Sequence, residues 1–229
     1  MIIYGRNAVA EAIRGPRAVH RAWVTGRGPG SDWPAGLAIA EADAAHLTAL
    51  CGSDDHQGVV AEVDDFSYAD PADLLAIEDG LIVVLDEVQD PRNLGAICRV
   101  AEAAGVDGVV IPRHRSAEVT PAVCRSSAGA VEHVTVARVR NIADFLADAG
   151  RAGYWRHGAA AEGAERWDVV DWTGPVALVM GSEGKGLRPR VAKACDRLVA
   201  LPLAGRVDSL NVATATSALL YEAVRQRSS

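Results

Sequence analysis

Two runs of this chain, Leu81-Ile82-Val83-Val84-Leu85 and Val176-Ala177-Leu178-Val179-Met180, contain no polar position. A strand with one wet face alternates polar and apolar residues. Five consecutive aliphatic positions suit a strand covered on both faces. Between and beyond these runs the apolar spacing switches between strand and helix periods. It predicts helices over Asn93–Ala104 (stopping at Gly105), Pro121–Ala128, Ile142–Ala149 and Val212–Arg227. It predicts further strands at Gly108–Ile111, Val134–Val136 and Arg197–Leu201. Strands alternating with helices and buried on both faces imply an α/β fold, a mostly parallel sheet with helices on both sides.

The first eighty residues read as a smaller α/β module. Ala8, Val9, Ala12 and Ile13 share one face of a helix over Asn7–Ile13. Ala22–Val24 is a short strand, Gly26–Pro34 a Gly/Pro-rich loop, Glu41–Leu50 a second helix and Gly58–Val63 a second strand. The acidic stretch Asp64–Asp79 follows, with a short helix expected at Asp73–Ile77. The expected organisation is a small module over residues 1–65, a linker over 66–79 and a large domain over 80–229.

With 229 residues and 49% hydrophobic composition, the chain can bury a core of that size. It has no run of 18 apolar residues, and Met1-Ile2-Ile3-Tyr4-Gly5-Arg6 lacks a signal-peptide layout. A cytoplasmic location is therefore expected. Cys51, Cys98, Cys124 and Cys195 are too scattered for a zinc site or a disulfide framework, so they read as free thiols, and no metal is expected. A net charge of −7 argues at first against a nucleic-acid partner, but the charge is segregated. Residues 1–30 balance at +4 through Arg6, Arg14, Arg17, Arg21 and Arg27, residues 31–80 at −12, and the remainder at +1. A phosphate-binding surface needs only a local excess.

Three segments fall where the predicted strands end, the place where ligands collect in such sheets. In the first, Asn93-Leu94-Gly95 opens a helix that carries Arg99. Asn93 is placed to cap that helix, and Gly95, four residues before Arg99, leaves room for its side chain to lean back toward the strand end. An exposed arginine beside a packing glycine is the plainer reading. In the second, Gly181-Ser182-Glu183-Gly184-Lys185-Gly186, three glycines in six residues signal a tight turn or a backbone approached by a ligand. Its spacing fits neither a Walker phosphate loop nor a dinucleotide fingerprint, which argues against a dehydrogenase. In the third, Leu201 to Val212, Ser209 and Asn211 flank Leu210 just before the last helix, where a simple cap would also place them.

Together and in order, Asn93 to Arg99, Gly181 to Gly186 and Ser209-Leu210-Asn211-Val212 resemble the three motifs of the SpoU family, the RNA ribose 2′-O-methyltransferases of the SPOUT superfamily. Gly5-Arg6-Asn7-Ala8-Val9 and His56-Gln57-Gly58-Val59-Val60-Ala61 resemble that family's small substrate-binding module. The resemblance implies an L30e-like first module and a large domain with a C-terminal deep trefoil knot. It implies S-adenosyl-L-methionine as cofactor and a homodimer with its site at the subunit interface. By position it implies Gly181, Leu201 and Leu210 at the cofactor. Asn93, Arg99, Glu183, Ser209 and Asn211 would surround the reacting ribose, with Arg6, Asn7, Arg14 and Arg17 on the RNA. The proton acceptor stays open between Arg99, Glu183 and solvent. The module and length look most like enzymes acting on a guanosine of 23S ribosomal RNA. Transfer RNA, an antibiotic-resistance site in ribosomal RNA, and an RNA-binding protein without catalysis are the alternatives.

Overall fold

A computed structural model describes residues 1–26, 33–34, 36–160, 164–206 and 209–228. In chain order its elements are β1 (Ile2–Tyr4), α1 (Arg6–Arg14), β2 (Val19–Val24), β3 (Ala38–Glu41), α2 (Ala44–Cys51), β4 (Val59–Val63), α3 (Pro71–Leu75), β5 (Leu81–Leu85), α4 (Pro91–Ala103), β6 (Gly108–Pro112) and α5 (Pro121–Ser126). Then come a 3₁₀ turn (Ala130–Glu132), β7 (Val136–Val139), α6 (Ile142–Arg151), β8 (Trp155–Ala159), β9 (Glu165–Arg166), β10 (Val176–Met180), α7 (Pro189–Ala192), β11 (Arg197–Ala200) and α8 (Val212–Arg227). The expected α/β class holds. The loop expected over Gly26–Pro34 and the basic Arg27 fall largely outside the described residues.

Strands β1-β4-β2-β3 form a small mixed sheet. The large sheet runs β7-β6-β5-β10-β8-β11-β9, and every pairing in it is parallel. The strand order reverses beside β5: β6 and β7 extend one way, while β10 sits on its other side and separates it from β8. This is the topological switch point of the sheet, with a crevice at its carboxyl edge. Both faces are dry. Ile82, Val84, Ala177 and Val179 pack with Ile142, Leu146 and Tyr154 on one side. Val83, Leu85, Leu178 and Met180 pack with Leu94, Ile97, Leu219 and Leu220 on the other.

Several expectations shift. Asp90 caps α4 by accepting from the Arg92 amide, and Pro91 occupies the first turn, so the helix starts before Asn93. Glu41 ends strand β3 and does not open a helix; α2 begins at Ala44 behind Asp43. The strand expected at Val134–Val136 is β7 at Val136–Val139, and β3, β8, β9 and α7 were not anticipated. Cys98 and Cys124 are buried free thiols, pushed by burial to about 12 and about 11, so they are inert at neutral pH. Among the described residues no helix is long and apolar enough to cross a membrane.

The two sheets share one core. Ile3, Val9 and Ala61 belong to the same buried cluster as Leu94 and Val123. At this joint the Arg17 side chain is 7% exposed and the Glu132 carboxylate 0%. Arg17 Nε donates to Glu132 Oε2 at 2.8 Å, and Nη2 also bonds the carboxylate. Arg17 further reaches the Asp64 carbonyl and the Cys124 sulfur. This corrects the expectation of an RNA contact: the Arg17 guanidinium is consumed inside the protein.

Two predictions follow from buried charge. Arg17→Ala strands a carboxylate in the core and should cost about 3–5 kcal/mol, whereas Arg17→Met with Glu132→Leu should cost much less. Urea denaturation measures both, and a loss below 1 kcal/mol in the single variant would contradict the buried pair. His157 is buried beside Trp172, its Nε2 at 3.0 Å from the Asp171 carbonyl and its Nδ1 without a partner. Burial and Arg197 push its pKa below the usual imidazole value, against the Asp171 carbonyl bond and the charges of Asp196 and Asp171. Its contribution to stability is therefore present above the unfolded-state pKa of about 6.5 and lost as pH falls below it. Stability measured against pH should fall over that window less steeply in His157→Asn.

Candidate functional site

Loops from three distant parts of the chain meet at the carboxyl edge of β5, β10 and β11. The first leaves β5 through Asp86 and Glu87. Asp86 is fully buried, accepting from the Arg188 backbone amide at 2.9 Å through Oδ2 and from Arg188 Nε at 2.8 Å through Oδ1. One carboxylate thereby ties the end of β5 to the loop after β10, 102 residues away. Glu87 sits in the left-handed region at φ 62°, as does Arg115 at φ 59°. Such backbone costs of order 1 kcal/mol and needs external support. Ion pairs from Glu87 to Arg188 at 3.3 Å and to Arg115 at 3.6 Å supply it.

The second loop, Gly181–Leu187, closes on itself. Ser182 and Gly186 exchange backbone hydrogen bonds at 3.1 and 2.9 Å. Gly181 lies inside this closure: a Cβ there would stand 2.1 Å from the Gly186 carbonyl carbon. The glycine at 181 is thus required by the loop's own packing. Glu183 projects from the loop into solvent.

The third loop is fixed at its end by Asn211. Its Oδ1 caps α8, accepting from the amides of Ala213 and Thr214. That assignment turns Nδ2 outward, where it donates to Asn93 Oδ1 at 2.9 Å and to Glu183 Oε1 at 2.7 Å. One amide thus joins all three loops. Because Asn93 presents its oxygen to Asn211, its own NH₂ has no acceptor among the described residues and is free to donate elsewhere. Asn93 does this from the third position of α4, nearly buried, and not from a cap.

Arg99 is not brought to this cluster. It lies six residues beyond Asn93, about 9 Å along and 120° around α4. It is exposed, with no hydrogen bond or ion pair among the described residues. Nor does Gly95 clear a path for it: a Cβ at Gly95 would lie 2.0 Å from Ser126 Oγ, so the glycine lets α4 and α5 pack closely. Ser209 and Leu210 are exposed, and Leu201 packs at the edge of the core. No hydrogen bond among the described residues engages Pro202 to Arg206, so this backbone is unclaimed, and Leu203 and Leu210 are 39% and 43% exposed beside it. Val207 and Asp208 lie outside the described residues. On the small module, Arg6 and Asn7 are exposed, Arg6 bonding Gln57, and Arg14 pairs with Glu11 at 2.7 Å. Sequence reasoning missed Asp86 and Arg188; a lone acid after a buried strand gives no signal of a partner 102 residues on.

Residues 80–221 match the SpoU rRNA Methylase family, and residues 2–69 match the family described as RNA 2′-O ribose methyltransferase substrate binding. The chain is 44% identical over 199 residues to the 23S rRNA (guanosine-2′-O-)-methyltransferase RlmB of Ralstonia nicotianae, covering 85% of this chain and 79% of that protein. It is 38% identical over 238 residues to YacO of Bacillus subtilis, named for the TrmH family of tRNA/rRNA methyltransferases, covering 98% and 95%. Its backbone superposes on the SpoU methyltransferase AviRb of Streptomyces viridochromogenes, crystallised with AdoMet, with a TM-score of 0.83 at 29% identity, covering 100% and 91%.

Gly181→Ala should open the Ser182–Gly186 closure without unfolding the sheet. Losing two backbone bonds should speed amide exchange at Ser182 and Gly186 roughly tenfold or more. Hydrogen exchange read by mass spectrometry tests this, and unchanged protection of residues 181–187 would show that the loop does not depend on the missing side chain.

Proposed function

The chain belongs to the SpoU family, and from that premise we propose that its three-loop cluster transfers a methyl group to a ribose 2′-hydroxyl of structured RNA, a guanosine of large-subunit ribosomal RNA. The observation that carries this is the Asn93–Asn211–Glu183 network, in which the residues of all three motifs meet through one side chain. The identity to RlmB supports the choice of ribosomal RNA.

S-adenosyl-L-methionine, when bound, supplies an electrophilic methyl group on a sulfonium. The residues present fit that group. The unclaimed backbone of Pro202–Arg206 offers amides and carbonyls, and the exposed Leu203 and Leu210 offer apolar cover for an adenine and a thioether chain. Gly181, Leu201 and Leu210 would line this pocket. Asn93, with its free NH₂, and Ser209, with its exposed hydroxyl, would orient the ribose. Holding hydroxyl and methyl in line contributes several kcal/mol to the barrier reduction. Arg99 acts by charge, because a guanidinium offers only donors and no acceptor, and so stabilises a developing alkoxide more readily than it takes up a proton.

The outward, unpaired position of Arg99 is explained if it serves the site of a second protomer in a homodimer. We propose that arrangement, with residues 1–65 gripping RNA through Arg6, Asn7 and Arg14, residues 66–79 as the connection, and a knotted catalytic domain over 80–229 whose last helix returns onto α4. The cytoplasm, where ribosomal RNA matures, is its proposed location. Mapping ribose methylation in ribosomal and transfer RNA with and without the gene tests the substrate; no lost site in large-subunit RNA would refute it.

Arg99→Ala should lower methyl transfer about 10²–10³-fold at saturating cofactor and RNA, with cofactor affinity nearly unchanged. Mixing Arg99→Ala and Glu183→Ala protomers should restore about a quarter of wild-type activity, because half the dimers would each hold one intact site. Wild-type turnover in the first variant removes Arg99 from the chemistry, and no recovery on mixing places it in the site of its own protomer.

A further inference from the structure

All seven strands of the large sheet run parallel, so the loops that leave them lie along one edge. On that edge Asp86 and Glu87 are paired with Arg188, Glu118 with Arg138 and Asp144 with Arg190, while Glu183 accepts, among the described residues, only from the neutral Asn211 amide. Several cations are unpaired. Arg113 follows β6, Arg140 follows β7 and Lys185 follows β10. All three are exposed, and none has a side-chain partner among the described residues. In a chain of net charge −7, unpaired positive charge is therefore collected beside the methyl-transfer cluster. On the small module, by contrast, Arg17 is spent on the buried Glu132.

The surface at Arg113 and Arg140 is concave. A cavity of about 710 Å³ opens between α3 and α6, with both arginines in its wall and Pro71, Leu75 and Phe145 among its apolar lining. Arg138 also lines it, held over the Tyr68 ring at 4.9 Å, and Asn141 caps α6 there. The wall is not uniformly basic: it also holds Asp70, which caps α3, Asp144, paired with Arg190, and Asp148, paired with Arg151. Of the wall's charges, Asp70 carries no cationic partner among the described residues, so Arg113 and Arg140 against Asp70 leave the recess a net positive charge. Two guanidinium groups at the rim of a half-apolar recess suit an RNA strand, whose phosphates they neutralise while the recess admits the chain between them.

We propose that the carboxyl edge of the catalytic sheet is a second RNA-binding surface, in which Arg113 and Arg140 hold backbone phosphates of the RNA that flanks the methylated nucleotide. It rests on the methyltransferase reading and adds to it a path for the strand leaving the site, along the carboxyl edge toward β7. The contacts are electrostatic and sequence-independent, so they set affinity and register and not the choice of base.

The test measures binding to protein-free large-subunit ribosomal RNA from 50 to 300 mM salt, alongside methyl transfer and cofactor affinity, in wild type, Arg113→Ala/Arg140→Ala and Arg113→Lys/Arg140→Lys. Each phosphate contact contributes about 0.7–0.9 to the slope of log affinity against log salt, so the alanine pair should flatten it by roughly 1.4–1.8. RNA affinity should fall on the order of tenfold near 0.1 M salt, with KM for RNA raised and cofactor affinity unchanged. The lysine pair should restore most of the slope, which a merely structural role for the arginines would not produce. If wild type methylates the RNA but the alanine pair keeps its slope and KM, the surface is wrong and the methyltransferase reading stands. If wild type neither binds nor methylates ribosomal or transfer RNA, both fall.

Discussion

The site depends on β10 lying between β5 and β8. A strand that reaches its place after β5 to β8 must insert into the middle of the sheet. Its five side chains are therefore buried on both faces, which is why Val176–Met180 contains no polar residue. The insertion sets the ends of β5 and β10 side by side, and Asp86 fixes the result. A fully buried carboxylate requires a cation and hydrogen bonds, and Arg188 supplies its backbone amide and its guanidinium. Without that clamp the strained Glu87 turn would lose one of its two ion-pair partners, and the loop carrying Glu183 its anchor.

The small module is bound to this framework through α5 and the 3₁₀ turn, which pack on β1 and α1. The joint's apolar core is bordered by the Arg17–Glu132 pair, by a contact between His133 and Glu11 at 2.9 Å and by an ion pair between Arg125 and Asp55 at 2.8 Å. A shared core makes the module's orientation a property of the fold and not of a linker. The acidic stretch after residue 63 still serves the joint: the Asp64 carbonyl accepts from Arg17, and Tyr68 accepts from the Val119 amide at 2.9 Å.

What the chain disclosed before its structure was known follows its physical regularity. Leu81–Leu85, Val176–Met180 and Val212–Arg227 were readable to the residue, because long apolar runs and strong caps leave little choice. Ala38–Glu41 and Trp155–Ala159 were missed: the first is short and mostly exposed, and the second carries Arg156 and His157 where an apolar run was sought. Asn93 was misread as a cap because Asp90-Pro91, an equally good start, stands three residues earlier. Gly95 was read as clearance for Arg99, when its space is filled by Ser126. The Asn93–Asn211 contact spans 118 residues and has no local signature; only the joint order of three motifs pointed to it.

The separation of Arg99 from Glu183 within one protomer has a chemical consequence. A guanidinium beside a carboxylate forms a charge-assisted pair, and its field is then largely neutralised. Here Glu183 is satisfied in part by a neutral amide, Asn211, and Arg99 is left unpaired on the far side of α4. A cation meant to stabilise an alkoxide that exists only near the transition state is most effective when no resident anion has already claimed it. Glu183 on a neutral partner and the Arg99 cation on an outward helix face meet that condition, so the charge proposed for the reaction stays available to whatever approaches that face.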